Sequence, residues 1–92
     1  MRLHGIVQTA ELAENPPGGE RVEMLLRLQG VGRGQPRLVV VPFEMLLADP
    51  ALDPESVRGH GCEAEVEQNA EGRWIVAEIH VAGRSVLRPP DG

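Results

Sequence analysis

The chain has 92 residues, enough for one domain and too few for two. Its 9 basic residues are all arginine, and 14 acids leave a formal charge of −5. That balance excludes a protein that grips polyanions over its whole surface, while leaving room for a local basic stripe. Apolar residues make up 41% of the chain, yet the only aromatic residues are Phe43 and Trp74, so the core must close through branched aliphatics, which favours β-structure.

Leu3 to Leu12 reads as a first strand, with Leu3, Gly5, Val7 and Thr9 on one side and His4, Ile6, Gln8 and Ala10 on the other. Gly5 inside it suggests a bulge or a sharp bend. Glu14-Asn15-Pro16-Pro17-Gly18-Gly19 breaks the chain. Arg21 to Gln29 then alternates cleanly, with Val22, Met24, Leu26 and Leu28 on the core side and Leu25 and Arg27 opposite. A glycine-rich loop around Arg33 leads to a third strand, Arg37 to Val41. Its run Leu38-Val39-Val40-Val41 is apolar on both faces, so the outer side must be covered.

Pro42 ends that strand, and Phe43 to Ala48 reads as a short helix. Asp53-Pro54-Glu55-Ser56 has the chemistry of a second helix start, with Asp as N-cap and Pro in the first turn. Cys62 to Gln68 alternates again, with Cys62, Ala64 and Val66 inward. The fifth strand, Arg73 to Val81, follows a hairpin loop, with Ile75, Ala77, Ile79 and Val81 expected inward and Trp74 and Val76 outward. Ser85-Val86-Leu87 is a candidate extra edge.

No apolar run approaches the ~20 residues that span a bilayer. Met1-Arg2-Leu3-His4-Gly5 carries no long apolar stretch of the secretory kind, and the single Cys62 has no intrachain disulfide partner. A cytoplasmic location with no membrane partner is the expectation.

Three strands, a helical connection and two more strands is the order of the five-stranded oligonucleotide/oligosaccharide-binding (OB) barrel. The chain resembles the bacterial single-stranded-DNA-binding proteins and primosomal replication protein N over about residues 2–82. The likeness lies in the opening Leu3-His4-Gly5-Ile6-Val7, a glycine ahead of strand four at Gly59 or Gly61, and the closing Trp74-Ile75-Val76-Ala77-Glu78-Ile79. It implies a mainly β fold: one OB-like domain over 1–88, a short helical connection between strands three and four, and a disordered tail over 89–92. The function it implies is non-enzymatic binding of single-stranded DNA or RNA through the outer face of strands two and three. Two departures bear on that function. The outer face lacks Tyr and Trp for stacking bases, and the net charge is negative.

On that face and its connecting loop Arg21, Arg27, Arg33 and Arg37 are the candidate phosphate contacts; Phe43, just beyond the face, and Trp74, on strand five, are the candidate stacking residues. The bland alternative is a solvated face whose arginine stems cover apolar surface. Leu25, Val39 and Val41, read as outward, form a candidate interface between copies or with another protein. Weak nucleic-acid binding by a homo-oligomer is therefore one expectation. A protein-interaction module with no nucleic-acid role is the other. His60-Gly61-Cys62 is one close pair where a structural zinc site needs four ligands, so Cys62 reads as a small buried hydrophobe. Glu63, Glu65 and Glu67 read as a solvated face that discourages edge pairing. No nucleophile–base spacing and no phosphate loop appears, so neither an enzyme nor a cofactor is expected.

Overall fold

The computed structural model describes residues 1–14 and 17–82. The fold is mainly β, a five-stranded sheet with two short helices. The strands are β1 (Arg2–Glu14), β2 (Val22–Gln29), β3 (Leu38–Val41), β4 (Gly61–Gln68) and β5 (Trp74–Val81). The helices α1 (Phe43–Ala48) and α2 (Pro54–Val57) lie between β3 and β4. The expected extra edge at 85–87, the tail at 89–92 and the domain limit at 88 fall outside the described residues.

Hydrogen bonding runs in the order β1-β2-β3-β5-β4, and β1 also pairs with β4, so the pairing returns on itself. The long β1 makes this possible. Its first part, Arg2 to Ile6, lies against β4, and its second, Ile6 to Glu14, lies against β2. Gly5 sits just before the change of partner. A Cβ there would lie 3.0 Å from the Gln29 carbonyl oxygen and 3.1 Å from the Val31 side chain, so close approach is what requires glycine. The weakest join is the parallel contact of β3 with β5, a single registered pair, Val40 with Ile75.

The core is aliphatic. Leu3, Val7, Met24, Leu26, Leu28, Val39, Val41, Val57, Val66 and Val76 are all fully buried. β2 keeps the alternation read from the sequence, with Met24, Leu26 and Leu28 inside. Pro42 leaves β3 without a donor, and α1 starts at the next residue. The Asp53 carboxylate accepts hydrogen bonds from the Ser56 N–H at 2.9 Å and the Ser56 hydroxyl at 2.7 Å, which caps α2.

Three side-chain phases differ from expectation. In β1 the pairing passes from Val7–Leu28 to Thr9–Arg27, so Gln8 is an extra residue. Beyond that bulge Ala10 turns inward and Thr9 outward. In β5 the pairing passes from Val66–Val76 to Glu65–Glu78, so Ala77 is extra. Val76 is therefore buried and Ala77 exposed, and Trp74, on Val76's side of the strand, packs partly against the core, where the alternation read from the sequence has Trp74 and Val76 outward. In β3 the phase read from the sequence was reversed. Val39 pairs with Leu26 and Val41 with Met24, and both belong to the core at 0% exposure. The expected interface group Leu25, Val39 and Val41 does not exist as one surface. Leu38 and Val40 are the residues of β3 on Leu25's side of the sheet.

Candidate nucleic-acid interface

The β2–β3 hairpin builds the face that carries most of the arginine candidates. Arg27 pairs with Leu38, and the Leu28 N–H donates to the Arg37 carbonyl, so the ladder carries on past β3 to Arg37. Arg27, Arg33 and Arg37 are all exposed. The loop is held by the Gly32 N–H donating to Gln35 Oε1 at 2.8 Å and by the Gln35 N–H donating to the Gly32 carbonyl at 3.0 Å.

The other described arginines are engaged. Arg2 meets Glu63 at 3.0 Å, Glu78 at 3.2 Å and Glu65 at 3.5 Å. Arg21 bonds Glu44 at 2.9 Å and lies over the Phe43 ring, 5.6 Å from its centroid. Arg58 donates to the Ala10 carbonyl at 2.9 Å. Arg73 forms a two-pronged pair with Glu23, at 2.6 and 3.3 Å. Among the described residues, Arg27, Arg33 and Arg37 are thus the arginines whose guanidinium groups have no acidic or carbonyl partner.

Beside them runs an open groove of about 570 Å³ along the sparse β3–β5 join. Leu25, Leu38 and Val40 give it an apolar surface, and Arg37, Arg73 and Trp74 line it as well. Val40 is only 4% exposed, flanked by its strand partners Leu25 and Ile75, whereas Leu38 remains 48% exposed. The expected cover over the outer face of β3 therefore protects Val40 and leaves Leu38 open. A second, more polar concavity is lined by Gln8, Arg27, Gln29 and again Arg37. Arg37 is the shared wall.

The β4–β5 turn positions Arg73 and Trp74. Asn69 Oδ1 accepts the N–H groups of Glu71 and Arg73 at 3.0 and 2.9 Å, and the Asn69 N–H donates to the Arg73 carbonyl at 2.8 Å. Gly72, at φ 83°, supplies the left-handed residue of that turn. Glu23 on β2 then fixes the Arg73 guanidinium, whose hydrogen bonds to Glu23 raise its pKa further. Trp74 is half-buried, partly against the core and partly along the groove.

The structure therefore lines one groove with Leu25, Arg37 and Trp74, sets Arg27 beside Arg37 in the second concavity, and leaves Arg33 in the exposed hairpin loop, lining neither. It separates Arg21 and Phe43, which pair with each other at the start of α1 and line neither concavity. Sequence reasoning missed Leu38, Val40 and Arg73. The parity of β2 gave a signal for the first two, because Arg27 and Leu25 point outward and their partners must follow.

The outer surface of β1, β4 and β5 is different. His4, Glu63 and His80 form one cross-strand row, and Arg2, Glu65 and Glu78 the next. The N-terminal amine donates to Glu65 at 2.7 Å, and that hydrogen bond is the main reason the Glu65 carboxyl lies below its usual range. Cys62 is buried beneath this surface, and burial raises its thiol pKa. Among the described residues no group of three or more His, Cys, Asp or Glu could hold a metal ion, and no helix is long and apolar enough to cross a membrane. No protein family matches the chain, and neither does any curated protein or solved structure.

Proposed function

We propose that this chain is an OB-type barrel acting as a small, non-enzymatic binding module, and that it takes single-stranded nucleic acid weakly on the outer face of β2 and β3. The strand order β1-β2-β3-β5-β4, with β1 serving two neighbours and the helices between β3 and β4, supports the barrel reading. One observation carries the functional reading: among the described residues the arginines without partners, Arg27, Arg33 and Arg37, all belong to this hairpin, in a chain of charge −5 whose other described arginines are bonded. A cation left free beside an apolar groove suits a ligand that is anionic along its backbone and apolar on its bases.

Three phosphate contacts on a single strand give a slope of roughly −2 in log K against log salt, so binding is weak at physiological ionic strength. The test is fluorescence anisotropy of a labelled oligonucleotide at low salt, with wild type and Arg27→Glu/Arg37→Glu. The reading expects binding by the wild type and its loss in the double variant. Absence of wild-type binding at low salt would sink it.

The rival reading, a protein-interaction module, draws support from Leu38, which is 48% exposed beside the half-buried Leu25. It expects self-association or partner capture that Leu38→Glu abolishes, with oligonucleotide binding absent. Sedimentation of the wild type and the variant separates the two.

A further inference from the structure

We infer that the β3–β5 groove seats one nucleobase against Trp74, with the adjoining phosphates on Arg37 and Arg27; this rests on the nucleic-acid reading above. The lining of the groove has the polarity of a nucleotide. Leu25, Leu38, Val40 and Trp74 form an apolar stretch, and Arg37 closes it at the point where the polar concavity of Arg27, Gln8 and Gln29 begins. A base in the first part places its own backbone at the second. The volume, about 570 Å³, lies within the roughly 300–1,000 Å³ of small-ligand clefts, which is room for one base.

The neighbouring groups divide the work. Arg73 is committed to Glu23 through two hydrogen bonds, and these side chains are 32% and 15% exposed. It acts as a positioning residue that holds the wall next to Trp74, and its charge is already matched. The phosphate load falls on Arg37 and Arg27, which line the polar concavity and have no acidic or carbonyl partner among the described residues. Phe43 lies under Arg21 and away from the groove, so no second aromatic extends the platform. The site therefore stacks a single base, and its ionic and apolar contributions rest on different residues.

Trp74 is the only tryptophan in the chain, so its emission reports the groove directly. The probe is a labelled oligothymidylate of about twelve nucleotides, within the usual range of single-strand site sizes. Emission and anisotropy are followed together at low salt. On binding, Trp74 emission is expected to quench in step with the anisotropy. Trp74→Leu, which keeps apolar volume but not the ring, should weaken binding roughly five- to a hundredfold, with an unchanged salt slope. Trp74→Phe should recover most of that loss. Arg37→Ala should lower the slope by roughly 0.7 and leave the quench at saturation intact. An abasic strand of the same length should bind wild type no better than the normal strand binds Trp74→Leu.

If anisotropy shows binding that Arg27→Glu/Arg37→Glu abolishes, while wild-type emission stays constant, the base-seat inference is overturned and the wider reading stands. If the abasic strand binds as tightly as the normal one, the inference is likewise overturned. If wild type binds no strand at low salt, the wider reading fails and takes the inference with it.

Discussion

Replacing Leu26 with alanine tests the core directly. Leu26 is fully buried, opposite Ala10 on β1 and Val39 on β3, which are themselves inside. The substitution removes three side-chain carbons from a site walled by short and β-branched residues. Val39 and its neighbour Val41 are stiff at χ1, and the backbone around them is tied into the ladder, so the walls have little room to close on the cavity. The cost should fall in the middle to upper part of the usual range of about 2–5 kcal/mol for such truncations. A domain of this size has a total stability of roughly 5–14 kcal/mol, and each kcal/mol is worth about 4–8 °C of Tm. Urea unfolding should therefore show the midpoint falling by a large fraction with the slope unchanged, and Tm should drop by at least ~10 °C. Leu25→Ala, one residue away on the outer face, should cost under ~1.5 kcal/mol because Leu25 is only half-buried. A loss below about 1 kcal/mol at Leu26, or a larger loss at Leu25 than at Leu26, would refute the assignment of faces.

Gly5→Ala should destabilise by about 1–3 kcal/mol, because the new Cβ would lie 3.0 Å from a backbone carbonyl that cannot swing aside; an unchanged Tm would refute it. Arg73→Ala should cost about 1–2 kcal/mol, a modest figure because Arg73 is a third exposed, and Glu23→Gln should recover part of it; additive effects in the double variant would show that the pair is not coupled. Asp53→Ala should cost about 1 kcal/mol through loss of the α2 cap. The Asp53 carboxyl is held below its ordinary 3.8, first by the Ser56 hydroxyl and then by backbone N–H groups. Its folded value is depressed, so the ionised cap contributes fully above 3.8 and loses that contribution as pH falls through the lowered value. The gap between wild type and Asp53→Ala should narrow over that acid range, and a gap that stays constant throughout would contradict the assignment.

Strand positions were legible wherever one face is apolar and the other polar. β2 and β4 follow their alternation to the residue, because burying one face fixes parity. β3 was not legible in phase. Leu38-Val39-Val40-Val41 offers apolar groups to both sides, so only its partners could say that Val39 and Val41 go in. β1 and β5 were legible in extent and not in phase throughout, because the extra residues Gln8 and Ala77 reverse the parity half-way along. A bulge leaves no mark in hydropathy when the residues around it are small or mixed in polarity. The site was legible in part for the same reasons. Arg27, Arg33 and Arg37 could be grouped from one hairpin, and Trp74 could be named for being aromatic. The pairing of Arg21 with Glu44 and of Arg73 with Glu23 spans 23 and 50 residues of chain, and no local pattern records it.

The most direct test of the account is heteronuclear NMR of the wild-type protein titrated with a single-stranded oligonucleotide at low salt. Amide shifts should concentrate on 25–40 and 72–75, the segments that hold Arg27, Arg33, Arg37 and Trp74, and should leave the Arg2, Glu63, Glu65 and Glu78 surface in place. Shifts confined to that acidic surface, or no shifts anywhere, would contradict it.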